Sequence, residues 1–509
     1  MSQRPPARII ILGGGTAGWM AANLLANAWH VLGTKVILVE SPDVGIIGVG
    51  EGSTPQLRGF FRTLGLDEAD WMPRCNATYK NGIIFKGWSN RAGFESYYHP
   101  FATEIDDRSF DSFTYNTRAR RTGRDVWAHP DRFFLPALLS AKKLAPIATE
   151  NFPFDVSYGY HFDAHLVGAV LREHAKTFGV EHLERHIDTV ERNESGDVAA
   201  LLTKDGERIK GDFFIDCSGF RGSIIQEALG ERFVSFADNL FNDSAVVMPT
   251  PSDPTGTNPH TTATALSAGW AWQIPLTNRT GNGYVYASGY VDRDAAETEL
   301  RANLGLLDSD VEARHLTMKV GRVERSWVGN CLAVGLSQGF IEPLEATALH
   351  IVQATVEGFI AAMEQGGFAP SERDALNQRI AARYEGIRDY IVCHYRVNRR
   401  TDTQYWRDNA ANQNLSDMLK QVMTSWYRGE DLSAVITELD IGKYYNSLSW
   451  HCLLAGYGTF PDDTKITPPG DDIQLLDMAQ MDEFLRRCGL NFTDHKQLLE
   501  TMQASRSIR

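Results

Sequence analysis

The sequence predicts an α/β chain: a parallel-stranded nucleotide unit, an inserted sheet, and a mainly helical C-terminal region. Three observations carry this. A glycine-rich turn near the N-terminus lies between a strand and a helix. Short alternating apolar runs cluster in mid-chain, where turn residues separate them. Beyond residue 350 helix formers dominate, broken near Gly366, Gly429, Gly442 and Gly456.

In order, Arg8 to Leu12 reads as a buried parallel strand, Gly13 to Gly18 as the turn, Ala17 to Leu32 as a helix and Lys35 to Glu40 as a second strand. This is a βαβ unit. Asp163 to Phe178 has helical periodicity, and Ile187 to Glu191, Ala199 to Thr203 and Asp212 to Asp216 read as strands. After the loop Pro249 to Pro259, Ala263 to Tyr290 alternates in short strands, with a hairpin-like turn at Asn278 to Gly283. Cys331 to Val334 is again a buried strand, and His350 to Glu364 an amphipathic helix. The nucleotide-binding box is therefore expected from about 1–90, 160–235 and 315–350. The inserted substrate-side sheet is expected at about 95–155 and 240–310, and the helical region at 351–509.

Composition narrows the function. The 509 residues allow one large core or several smaller ones. A net charge of −14 argues against a nucleic-acid partner, whose phosphates would repel it. The basic cluster from Arg118 to Arg124 reads as a solvated face. Six scattered cysteines form no CxxC pair, so reduced thiols in a cytoplasmic protein are expected. No apolar run approaches the roughly 18–20 residues of a spanning helix, so no membrane association is expected. There is no HExxH or His/Cys cluster, and no metal site is expected.

Within Gly13-Gly14-Gly15-Thr16-Ala17-Gly18 the glycines allow a tight turn and close approach of backbone to a pyrophosphate at a helix N-terminus. Glu40 ends the second strand, where a carboxylate bonds a ribose hydroxyl and disfavours a 2′-phosphate. This unit alone leaves FAD and NAD both open. Phe213 to Gly219 is a strand ending in Asp216, small residues and glycine, of the kind that closes FAD sites in two-part flavoproteins. Gly48 to Pro55, with Gly50, Glu51 and Gly52, reads as a strap able to lie over a flat ring.

The run Trp270-Ala271-Trp272-Gln273-Ile274-Pro275 places two indoles and Ile274 on one side of an extended segment, and Pro275 fixes φ after them. Alone it would be an ordinary core strand. Beside a dinucleotide turn it reads as a rigid aromatic wall.

Together these motifs resemble the flavin-dependent halogenases of the tryptophan-halogenase family over nearly the whole chain. The markers are Gly13–Gly18, Gly48–Pro55, Lys80 in Thr78-Tyr79-Lys80-Asn81-Gly82-Ile83, Trp270–Pro275, and Glu342-Pro343-Leu344-Glu345-Ala346-Thr347-Ala348. The resemblance implies an FAD-binding Rossmann-like domain of the flavin monooxygenase type, with Val190, Gly335, Leu336 and Leu349 completing the flavin lining. It implies FADH2 from a separate flavin reductase, which reacts with O2 and halide (chloride or bromide) to release hypohalous acid. Trp270 and Trp272 would keep the organic substrate from the flavin, and a tunnel would lead the oxidant to Lys80. Lys80 would hydrogen-bond hypohalous acid or form a haloamine, and Glu345 would accept hydrogen bonds from the oxidant or take the ring proton. The halide would sit on the backbone amides of Thr347 and Ala348. This chain has Glu345-Ala346-Thr347-Ala348 where the family usually has Glu-Ser-Thr-Gly. A glycine replaced by Ala348 is expected to restrict φ, add a methyl group and alter halide preference, toward bromide.

His99 and Phe101 resemble the family segment that lines the aromatic pocket, with Trp450 in the C-terminal part. From Tyr445 to Leu454-Ala455-Gly456 the chain is short and holds no glutamate. The clamp for a free amino acid is thus expected to be missing, and the substrate to be indole or another small electron-rich aromatic. A homodimer is left open. Two alternatives are an FAD-dependent aromatic monooxygenase and a non-catalytic flavin-binding sensor. Gly335-Leu336-Ser337-Gln338-Gly339 matches the GxSxG of hydrolases, but loop residues follow where a helix is required.

Overall fold

The computed structural model describes residues 4–43, 50–471 and 473–507. The expected strap residues Gly48 and Val49 lie outside these. The chain divides into two compact units, one of residues 1–76, 162–237 and 318–385 and one of residues 77–161, 238–317 and 386–509.

The first unit is built on a six-stranded sheet ordered Trp327–Val328, Cys331–Ala333, Phe213–Asp216, Arg8–Leu12, Lys35–Glu40, Glu181–Glu184. All but the first strand run parallel. In the register Leu12 lies beside both Val39 and Asp216, and Asp216 beside Ala333. The carboxyl ends of these strands therefore share one edge, where open α/β sheets bind ligands. The apolar strands Arg8–Leu12 and Lys35–Glu40 are buried along almost their whole length, as parallel strands covered on both faces require. The helix Thr16–Trp29 follows the glycine turn, and its last expected residues, His30–Leu32, form a 3₁₀ turn ended by Gly33 at φ 91°.

The second unit holds a seven-stranded sheet ordered Arg314–Thr317, Ser244–Thr250, Thr280–Tyr286, Gly269–Pro275, Thr261–Leu266, Gly82–Lys86, Ser96–Pro100. Its pairs are antiparallel except that Thr261–Leu266 runs parallel to Gly82–Lys86. Strand pairing thus assigns Gly82–Lys86 to this sheet, although the sequence places it with the nucleotide box. The turn after the tryptophan strand closes at Leu276–Arg279, earlier than expected, because Thr280 already pairs with Pro275. The short strand Thr78–Lys80 pairs antiparallel with Gly159–Phe162, outside the seven-stranded sheet. Helices over Gln404–Ala411, Asp417–Tyr427, Leu432–Glu438, Ser447–Gly456 and Met478–Gly489 make up most of the C-terminal part, with a strand at Phe492–Asp494 paired to Leu144–Ala148.

All six cysteines are free thiols, and all but Cys217 are buried. Among the described residues no helix is long and apolar enough to cross a membrane.

Candidate active site

In the first unit the predicted nucleotide residues converge. A Cβ at Gly13 would stand 2.2 Å from the Cys217 carbonyl oxygen, one at Gly14 1.4 Å from Glu40 Oε2, and one at Gly18 1.9 Å from the Gly13 carbonyl oxygen. Backbone contact therefore requires glycine at Gly13 and Gly18, while at Gly14 a Cβ would displace the Glu40 carboxylate. At Gly15 a Cβ would meet nothing within 4 Å. Gly15 is the N-cap of Thr16–Trp29 and supplies no side-chain cap, and the first turn carries no acid. Open space ahead of a helix N-terminus with free amides is what a pyrophosphate requires. The residues present thus fit a dinucleotide.

Glu40 Oε1 is 2.7 Å from His182 Nε2, so one oxygen is anchored while the other faces Gly14. Gly335, at φ 73°, would bring a Cβ within 2.8 Å of the Ala17 Cβ, which places Gly335 and Leu336 beside the start of the helix. Val190 packs against the apolar cluster of Ile10, Leu12 and Val39. Gly50 takes φ 88°, and Glu51 beside it is held up to about 7, first by burial and then by the charge of Asp163. Its carboxyl therefore stands near half-protonation at neutral pH, a property the sequence did not signal.

The Asp216 carboxylate is occupied by donors of the protein itself. Its Oδ1 accepts from Ser218 N at 3.0 Å and Ser218 Oγ at 2.6 Å, and its Oδ2 from Ile224 N at 2.9 Å and Ile225 N at 2.8 Å. A carboxylate with four donors shapes the Cys217–Gly222 turn. Ser337 is fully buried and its one hydroxyl proton is shared between the Asp216 and Val334 carbonyls, so it has no place as a nucleophile.

Glu345 closes the 3₁₀ turn Pro343–Glu345 and is 3% exposed. The left-handed residue is Ala346, at φ 56°. Ala348 is the first residue of the 18-residue helix Ala348–Gln365, with Thr347 as its N-cap and Leu349 buried next to it. The expected backbone restriction at Ala348 is therefore not found, since a helical φ suits alanine; what remains is its methyl group. The amides of Thr347 and Ala348 open a helix and have no intrahelical acceptor, a setting that favours an anion.

In the second unit Lys80 is wholly buried, and its Nζ lies 5.3 Å from the Phe101 ring centroid. Opposite it in the strand pair is Gly159, which leaves room for the long side chain. The Phe101 amide donates to the Asn81 carbonyl at 2.9 Å, fixing the ring's strand to the residue after Lys80. His99 and Tyr97 alternate onto one face with Phe85, which stacks on Tyr97 at 5.1 Å. His99 meets the Tyr390 ring edge-on at 6.3 Å, and Trp450 meets it edge-on at 4.8 Å. Tyr445 stacks on Tyr390 at 3.6 Å. Tyr390 is thus the hub joining His99 to Trp450. The sequence missed it, and only its place on the long helix Arg373–Arg396 hinted at a buried face.

Trp270 and Trp272 are 1% and 6% exposed, with ring centroids 6.1 Å apart, on the strand that also carries Ile274 and Pro275. Gly283 faces Trp272 across the pair, and a Cβ there would fall 2.2 Å from the indole. Among the described residues Nε1 of Trp272 and Nε1 of Trp450 have no acceptor.

A family model described as tryptophan halogenase matches residues 8–468. The chain is 38% identical over 450 residues to tryptophan 6-halogenase SttH of Streptomyces toxytricini, covering 84% of this chain and 85% of that protein. It is 34% identical over 487 residues to tryptophan 7-halogenase RebH of Lentzea aerocolonigenes, covering 89% and 90%. The solved structure of SttH matches with a TM-score of 0.84 at 32% identity, over 98% of this chain and 100% of that one. BrvH, a flavin-dependent halogenase from Brevundimonas sp. BAL3, matches with a TM-score of 0.81 at 30% identity, over 98% and 99%. The chain belongs to the tryptophan halogenase family and is a flavin-dependent halogenase.

Proposed function

We propose that this halogenase uses FADH2, O2 and halide to halogenate an indole or similar electron-rich aromatic, with Lys80 as the catalytic residue that holds the oxidant. The observation that carries the reading is a fully buried lysine ammonium 5.3 Å from the Phe101 ring, on a strand whose Thr78 is bonded to Pro275 at the end of the tryptophan run. Lysine is rarely buried so fully, and such residues cluster at functional sites.

Bound reduced flavin, supplied by a separate reductase, would provide hypohalous acid from O2 and halide. The Gly13–Gly18 turn and Glu40 would hold its dinucleotide part, with Val190, Gly335 and Leu336 around it and Gly50–Gly52 as the strap. The amides of Thr347 and Ala348 would hold halide. Trp270, Trp272, Ile274 and Pro275 would exclude the aromatic substrate from the flavin, leaving the oxidant to travel to Lys80 through a tunnel. Lys80 would donate a hydrogen bond to the oxidant's oxygen and make the halogen electrophilic, and Glu345 would take the ring proton. Phe101, His99 and Trp450 would hold the aromatic ring.

The helix Ser447–Gly456 starts directly after Tyr445-Asn446, with the Asn446 side chain capping Ser449 N at 3.0 Å. No intervening loop is available there to grip an α-amino and carboxylate group, which supports indole over free tryptophan. Bromide is favoured over chloride because it is easier to desolvate and to oxidise.

The test supplies FADH2, O2 and equal chloride and bromide, with indole and L-tryptophan in separate reactions, and reads products by mass. Bromoindole should dominate. Hydroxyindole would replace this reading with the monooxygenase, and tryptophan turnover far above that of indole would overturn the substrate assignment.

A further inference from the structure

Thr78 and Lys80 are two residues apart on one short strand and face the same side. That strand and the tryptophan strand belong to different sheets, so strand pairing does not set the position of one against the other. A buried hydrogen-bond chain does. The Thr78 hydroxyl lies 2.7 Å from the Pro275 carbonyl oxygen and 3.1 Å from His161 Nδ1, and His161 Nε2 lies 2.9 Å from the Thr261 hydroxyl. Thr78 and His161 are 0% exposed and Thr261 8%.

Donor counting fixes every proton. A carbonyl only accepts, so the single Thr78 O–H is spent on Pro275. The Thr78 oxygen must then accept from His161, which puts the imidazole proton on Nδ1. The unprotonated Nε2 in turn accepts the Thr261 hydroxyl proton. Burial holds the ring neutral, helped by the charges of Lys80, His260 and His495, which push its pKa well below the usual histidine value. The chain runs in one direction, from Thr261 through the ring and Thr78 to Pro275, with no spare donor.

We infer that His161 and Thr78 are positioning residues for halogen transfer, locking the lysine strand to the end of the tryptophan strand so that Lys80 meets the oxidant in one fixed place. The inference rests on the proposed role of Lys80. The strand is held from its other side as well, where the Tyr79 amide donates to His495 Nε2 at 3.1 Å and His495 Nδ1 lies 3.0 Å from the Thr257 carbonyl oxygen. Loss of the His161 chain would therefore shift Lys80 without freeing the strand.

The test uses the full chain with FADH2, bromide and indole, and reads bromoindole formed per FADH2 oxidised together with hypobromous acid escaping to a scavenger in solution. Thr78→Val keeps the volume and removes both bonds, and His161→Phe removes the ring nitrogens. Both should lower the product ratio about tenfold, as a small misplacement of a reacting group does. They should raise escaped oxidant and leave the rate of FADH2 oxidation unchanged, while Thr78→Ser keeps the wild-type ratio. A wild-type ratio in folded Thr78→Val overturns the inference. So does unfolding of both variants by circular dichroism, because the chain would then serve the fold alone. Lys80→Ala run alongside separates the two claims: if it also keeps the wild-type ratio, the proposed role of Lys80 has failed instead.

Discussion

The two units build their sites from different materials. In the first, the binding surface is mostly backbone: Gly13, Gly14 and Gly18 are glycines because the Cys217 carbonyl, the Glu40 carboxylate and the Gly13 carbonyl occupy the space a side chain would need. In the second, the residues are side chains gathered from distant segments, with Lys80 against the Phe101 ring and, separately, His99 and Trp450 against the Tyr390 ring. A backbone cradle tolerates almost no added atoms. A side-chain box can be trimmed without loss of the fold, so the same size of substitution should have opposite consequences in the two units.

The largest effect should come from Lys80→Ala. Halogenation of indole should fall at least about 100-fold, the usual worth of a positioned proton donor, while FADH2 oxidation continues and FAD still binds. Equal loss of both activities would erase the distinction between the units. Next, Gly14→Ala puts a Cβ onto Glu40 Oε2 and should displace the carboxylate. Losing its charge-assisted bond to a ribose should weaken FAD binding about ten- to 100-fold, seen by flavin absorbance in titration, with halogenation failing as a consequence.

A smaller effect tests the strain at the left-handed residue after the turn Pro343–Glu345. Ala346 sits at φ 56°, where a Cβ costs about 1 kcal/mol, so Ala346→Gly should raise stability to chemical denaturation by about 0.5 kcal/mol after the added chain entropy of glycine. A loss of stability would show that the alanine methyl packs better than its φ costs.

The smallest effect concerns Glu51. Its folded value, about 7, lies above its ordinary 4.5, so the protonated form is favoured in the folded state. The stability it contributes is complete below pH 4.5 and is lost as pH rises through about 7. In flavin-free protein, Glu51→Gln should therefore remove part of the fall in melting temperature over that window. Identical curves for the two proteins would place the carboxyl in solvent.

The same contrast explains what the sequence disclosed. The glycine turn, its flanking strands and Glu40 were legible because contiguous spacing carries their physics. Asp216 was legible at the end of its strand, but its position gave no sign that Ser218, Ile224 and Ile225 would donate to its carboxylate. Lys80 was legible only through resemblance; a lysine on a three-residue strand carries no local mark of burial. Tyr390 and His161 were missed because their partners lie far off in sequence, as with Thr261 exactly one hundred positions from His161. Even Gly283, expected as the last residue of a turn, revealed its purpose only when strand pairing set it against Trp272.

The buried thiols have a consequence for durability. The hypohalous acid of the proposed reaction attacks thiolates far faster than thiols, and an enzyme making it would be exposed to its own product at every turnover. Burial holds the thiols of Cys331, Cys393, Cys452 and Cys488 above their ordinary pKa, in the less reactive protonated form. Oxidant that strays from its path would thus find little thiolate to consume among these four.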